Sequence, residues 1–170
     1  MGKEKATFQQ AMEETIFWCN AWESEELSDE VFADKISGLL NYYNGLRGFF
    51  AITLSSDCPI LDRLPDPLLI QLREGGENVV DIVTKNLAMS TAMSEKHKRD
   101  NKEDLQVGSE RVSIRCIEIL RLLEPNSVKR RLEKLLDGVQ GKGSDVDFLN
   151  RWGYDDKQIN AIKLAVESIP

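Results

Sequence analysis

Apolar residues in this chain recur every three or four positions along almost its whole length, and that spacing puts them on one face of successive α-helices. Phe8, Met12, Thr15, Ile16, Cys19 and Trp22 mark a helix from about residue 5 to 23, with Glu13, Glu14 and Asn20 off the stripe. Ser28 offers a side-chain oxygen to the free amides of a following turn, and Asp29 and Glu30 suit its positive end. The helix begun there carries Phe32, Ile36, Leu39, Leu40 and Tyr43, and Asn44-Gly45 is expected to end it. Residues 46–54 have the β-branched and aromatic content of a strand, but no second strand is evident to pair with them. A lone strand would leave its backbone groups unpaired, so this stretch reads as a short buried helix in which Gly48 permits close backbone approach.

Pro59, Pro65 and Pro67 mark an irregular connection. The longest helix is then expected from Pro67 to Arg99, with Leu69, Leu72, Val79, Val80, Val83 and Leu87 as its stripe, continued by Met89 and Met93. Gly75-Gly76 interrupts it at a cost of about 2 kcal/mol relative to alanines, which implies a kink or a closely packed neighbour. A return helix spans about 104 to 124, and its wide arc (Leu105, Val112, Cys116, Ile119, Leu120 and Leu123, broadened by Ile114 and Ile117) implies burial on more than one side. Pro125 breaks it, Asn126 or Ser127 caps another helix, and three glycines within 138–144 read as a hinge. Beyond them lie a short helix closed by Gly153 and a final helix capped by Asp155. The predicted fold is therefore all-α: an antiparallel helical bundle of five or six helices over residues 1–140, and a C-terminal helical hairpin over 141–170. A two-helix segment is too small to bury its own core, so it must pack on its own bundle or on a neighbouring subunit.

Charge is unevenly spread. The formal net charge is -7, and residues 1–34 hold two lysines against nine acids, so the remainder is neutral. Phosphate neutralisation needs a net basic face, which argues against a nucleic-acid partner. Two short positive clusters, Lys96-His97-Lys98-Arg99 with Lys102 and Lys129-Arg130-Arg131 with Lys134, suit helix ends or solvated helix faces, or docking patches for an acidic partner. The first five residues lack the apolar run of a signal peptide and no stretch is long enough to span a membrane, so the expected location is cytoplasmic. Cys19, Cys58 and Cys116 are odd in number and far apart, forming neither a disulfide framework nor a zinc-type spacing. Cys19 and Cys116 fall on apolar helix faces, whereas Cys58 is expected in an exposed loop. His97, the single histidine, is expected to face water.

No phosphate loop, nucleophile elbow or zinc-protease helix is present, and no cofactor or metal centre is expected. Glu74, Glu77 and Asp81, with Glu23 and Glu26 as a second pair, are the weak candidates for Mg²⁺-dependent phosphoester hydrolysis. In spacing they resemble the E-x-x-E and E-x-x-D carboxylates of the all-α nucleotide pyrophosphohydrolases of the MazG type, but Asp81 follows Glu77 by four residues instead of three. Tyr42, Tyr43 and Arg47, with Phe49 and Phe50, suggest an apolar cleft for a small ligand, and Arg111 and Arg115 lie one turn apart as an anion pair. The reading that needs fewest coincidences is a non-enzymatic interaction or regulatory protein that self-associates or binds another protein. Its candidate contacts are Trp18, Trp152, Ile159, Ile162 and Val166, on the acidic N-terminal helix and the hinged tail.

Overall fold

The computed structural model describes residues 6–169, so the N-terminal pentapeptide read above lies outside it. Among the described residues every regular element is helical, with no strand. The α-helices are α1 (Phe8–Glu23), α2 (Asp29–Leu40), α3 (Tyr43–Ser55), α4 (Asp66–Glu74), α5 (Gly76–Arg99), α6 (Glu103–Leu122), α7 (Pro125–Val139), α8 (Asp145–Arg151) and α9 (Asp156–Glu167), with a 3₁₀ turn at Pro59–Leu61. Among the described residues seven α-helices precede residue 141. The chain divides into two compact units, Met1–Ile82 and Val83–Pro170.

In the first unit Thr7 opens α1 with a capping box: its hydroxyl accepts from Gln10 N at 3.1 Å, and Gln10 Oε1 accepts from Thr7 N at 2.9 Å. Ala11, Thr15 and Cys19 turn inward, and α3 lies along them. Gly48 allows that approach, since a methyl group there would press on Ala11 Cβ and the Phe8 carbonyl. Phe32, Ile36, Leu46, Phe49, Phe50, Leu68 and Leu72 complete a core without solvent access. Asn44-Gly45 does not end the second helix. That helix stops at Leu40, and Gly45 sits inside the first turn of α3, where a side chain would strike the Leu39 carbonyl. The expected helix over 67–99 is two helices, because Gly76 adopts φ +60°, a left-handed conformation cheap only for glycine.

In the second unit Ser90 of α5 and Ser113 of α6 share a hydrogen bond of 2.8 Å. Residues 144–169 belong to this unit rather than standing apart: Leu149, Ile162 and Val166 are buried, and both α8 and α9 pack on α7. Arg131 of α7 grips Asp145 of α8 through two hydrogen bonds, of 2.5 and 3.1 Å, with both side chains almost fully buried. Arg131 is thus no solvated-face cation. Gly138 is not a hinge residue either: it lies within α7, where a side chain would collide with Asp145. The left-handed glycines of the connection are Gly141 and Gly143, each at φ +83°. The arc of α6 is buried on one side only, at Cys116, Ile119, Leu120 and Leu123, while Leu105, Val107 and Ile114 face solvent.

Candidate functional site

An open groove of about 630 Å³ lies in the second unit, a size suited to a few side chains or a small molecule. One wall is the C-terminal part of α5, where Met89, Met93, Lys96 and Asp100 fall at helical spacing, with Arg99 beside them. The other is the α8–α9 corner: Trp152, Gly153, Tyr154, Asp155 and Gln158. Gly153, at φ +62°, makes the reversal that lets Trp152 end one helix while Asp155 begins the next.

Asp155 and Gln158 fix this corner with the full use of their polar atoms. Asp155 Oδ1 accepts from Gln158 N at 2.9 Å, and Gln158 Oε1 accepts from Asp155 N at 3.0 Å. The remaining carboxylate oxygen accepts from Arg99 Nη1 at 2.5 Å, and Gln158 Nε2 donates to the Ala92 carbonyl at 3.0 Å, so both walls are tied together twice. The Gln158 amide, followed by the Arg99 guanidinium, holds the Asp155 carboxyl below its ordinary range. Burial pushes the Tyr154 phenol up to about 12, so it is a neutral group in the groove at physiological pH. The lining thus combines thioether and aromatic groups with two cations, Lys96 and Arg99, and two carboxylates, Asp100 and Asp155, the latter paired with Arg99. Trp152 is 55% exposed on this surface.

Other sequence candidates fall elsewhere. Ile162 and Val166 are core residues and Ile159 is half-buried, so α9 spends its apolar face within its own unit. Phe49 and Phe50 pack edge to face in the first core, whereas Arg47 lies over the Phe8 ring at 4.6 Å and donates to Asn44, and Tyr43 is exposed. Tyr42 lines a hollow of about 350 Å³ beside Glu14, Asp34 and Lys35. Arg115 is buried and Arg111 half-buried. Glu74 and Glu77 are exposed beside the break between α4 and α5, and Asp81 is half-buried. Among the described residues no group of three or more His, Cys, Asp or Glu is placed to hold a metal ion. His97 does not simply face water: its Nδ1 is buried without a hydrogen-bond partner. Cys58 is 3% exposed, not a loop thiol open to solvent. No helix among the described residues is long and apolar enough to cross a membrane.

A second surface belongs to α1. Ile16 is 44% and Phe17 62% exposed, and Phe17 meets Trp18 edge to face with centroids 4.8 Å apart. Trp18 is half-buried, with the Lys35 ammonium 5.4 Å from its ring. Exposed Glu13, Glu14 and Asn20 surround this apolar knob. The sequence marks Trp18 but not Phe17 as a contact residue, and Trp152 but not Met89, Met93 or Tyr154. The signals present were a tryptophan next to a glycine and a capping aspartate, and a cation cluster at the end of a helix.

A family model, Uncharacterised conserved protein UCP020893, matches residues 7–169. No curated protein and no solved structure matches the chain.

Proposed function

The chain belongs to this family of uncharacterised conserved proteins, and we propose that it is a non-enzymatic interaction protein that self-associates, the groove of one copy receiving the α1 knob of another. The observation that carries this reading is the groove itself: apolar Met89, Met93, Trp152 and Tyr154 beside Lys96, Asp100 and the Arg99–Asp155 pair. Its occupant should present an aromatic or branched side chain. Phe17 and Ile16, flanked by Glu13 and Glu14, meet that description, and residues 1–82 carry 15 acids against 6 bases while residues 83–170 carry 14 against 16. Opposite potentials favour this pairing over groove against groove or knob against knob, and they make it sensitive to salt. The contact joins two different surfaces, so it is heterologous and propagates into rings or chains. Helices packed antiparallel in a bundle are the framework we take to display both surfaces.

Removing the tail is a poor test, because a chain cut at Gly141 loses Asp145 from the buried Arg131 pair together with Leu149, Ile162 and Val166 from the core. Trp152→Ala leaves those groups in place. Sedimentation velocity of the full chain should show association that weakens at least about tenfold in Trp152→Ala, the loss of roughly 1.4 kcal/mol or more expected of a tryptophan hot spot. The wild-type association should also weaken in high salt. A wild-type chain that stays monomeric at high concentration, or association indifferent to Trp152→Ala, would overturn the proposal.

A further inference from the structure

We infer that the first unit holds a binding site for a linear aliphatic polyamine, built from two adjoining hollows at the C-terminal end of α2. One hollow, of about 350 Å³, is lined by Glu14 of α1 and by Asp34, Lys35, Leu39 and Tyr42. The other, of about 160 Å³, is lined by Leu40 and by Gln71, Glu74 and Gly75 at the end of α4. Ser37 and Asn41 line both, so the hollows meet at the last turn of α2.

This lining is rich in acceptors. The carboxylates of Glu14, Asp34 and Glu74 belong to exposed residues, and among the described lining residues Lys35 alone is basic. Its ammonium lies 5.4 Å from the centre of the Trp18 ring. The Ser37 hydroxyl donates to the Asp34 carbonyl at 2.6 Å, which leaves its oxygen to accept. Both α2 and α4 end here, so the partial negative charge of two helix C-termini adds to that of the carboxylates. The last turn of α2 holds no basic residue to offset it. Gln71 supplies an observation independent of charge: its Oε1 is buried with no hydrogen-bond partner. A buried acceptor left unpaired is costly, and turning the amide about its soft terminal torsion brings that oxygen to a donor in the smaller hollow.

The arrangement selects the chemistry of the ligand. An alkylammonium group carries a positive charge and several donors, and no acceptor that these oxygens would oppose. A metal ion needs its ligands gathered about one point, and among the described residues no group of three or more His, Cys, Asp or Glu is placed to do that. The acceptors are instead spread along α2 from Asp34 to Asn41, about two turns or roughly 10 Å of helix. A chain with ammonium groups spaced on that scale meets both hollows at once, and Leu39 and Leu40, one beside each, give its methylenes apolar surface.

The test is isothermal titration calorimetry of the full chain with spermidine at low ionic strength, with butylamine and magnesium chloride as comparisons. The expected result is one saturable site per chain that binds spermidine at least about tenfold more tightly than either comparison. An Asp34→Asn, Glu74→Gln double variant should lose at least about tenfold in affinity. Glu26→Gln with Glu30→Gln removes the same charge from acids that line neither hollow, and should bind as the wild type does. All four positions are exposed, so the substitutions leave the core intact. No binding of millimolar spermidine, magnesium bound as tightly, or equal losses in the two double variants would overturn the inference. The Trp152 groove takes no part in this site, so the outcome is separate from that of the self-association test.

Discussion

Asp145 is a residue whose importance does not show in the sequence. It follows a glycine-rich connection and begins a seven-residue helix, which is an ordinary place for a solvated acid. Yet its carboxylate accepts two hydrogen bonds from Arg131 in a nearly dry setting, and that bidentate pair joins α7 to α8. Taking charges out of water is expensive, so the pair itself adds little net stability, whereas breaking it strands a buried guanidinium. Asp145→Ala should therefore cost about 3–5 kcal/mol, read as a lower urea midpoint by circular dichroism. The double variant Asp145→Ala with Arg131→Met should lose less than Asp145→Ala alone. Equal losses would mean that the stranded charge is not what matters. Arg131 read as solvated because a run of four cations within six positions looks like a helix face, and periodicity alone does not say which member points inward. Cys58 misled for a related reason. A cysteine before a proline reads as loop, and it is loop, but it is buried at 3% exposure.

Helix ends were the more legible features. Ser28 and Asp155 were expected as caps, and each accepts a hydrogen bond from the backbone three residues on. Glu124, by contrast, caps α7 in place of Asn126 or Ser127, both of whose amides donate to its carboxylate, at 3.0 and 2.7 Å. The long helix expected over 67–99 failed at its glycine pair, since the sequence allows a kink or a break there and only the left-handed Gly76 decides between them. Residues 46–54 read correctly as helix because a solitary strand has nowhere to place its hydrogen bonds. The caps carry a pH dependence with a definite sign. Glu124 is held below the ordinary carboxylate range first by the Asn126 amide, and Asp155 first by the Gln158 amide. A carboxyl lowered in the folded state stabilises it above its unfolded pKa, and that contribution is lost as pH falls through the lowered value. Thermal melts from pH 7 down to about pH 2 should thus show a shallower acid limb in a Glu124→Gln, Asp155→Asn double variant than in the wild type. A double variant as steep as wild type would assign acid sensitivity to other groups.

Across the molecule, the net charge is unevenly divided. The first unit is strongly acidic and the second slightly basic, and each leaves apolar area uncovered: the Phe17 knob on α1 and the Trp152 groove at the α8–α9 corner. The N-terminal acidity and both tryptophans were legible in the sequence. The groove was not, because its walls come from segments some 60 positions apart, and a pattern of one helix at a time does not reveal which corner meets which. Self-association through two unlike surfaces is tested most directly by complementation. Phe17→Glu spoils the knob and keeps the groove, while Trp152→Ala spoils the groove and keeps the knob. Each variant alone should sediment as a monomer, and an equimolar mixture should give a one-to-one dimer that does not grow further. A mixture that stays monomeric, or single variants that associate as the wild type does, would contradict the account.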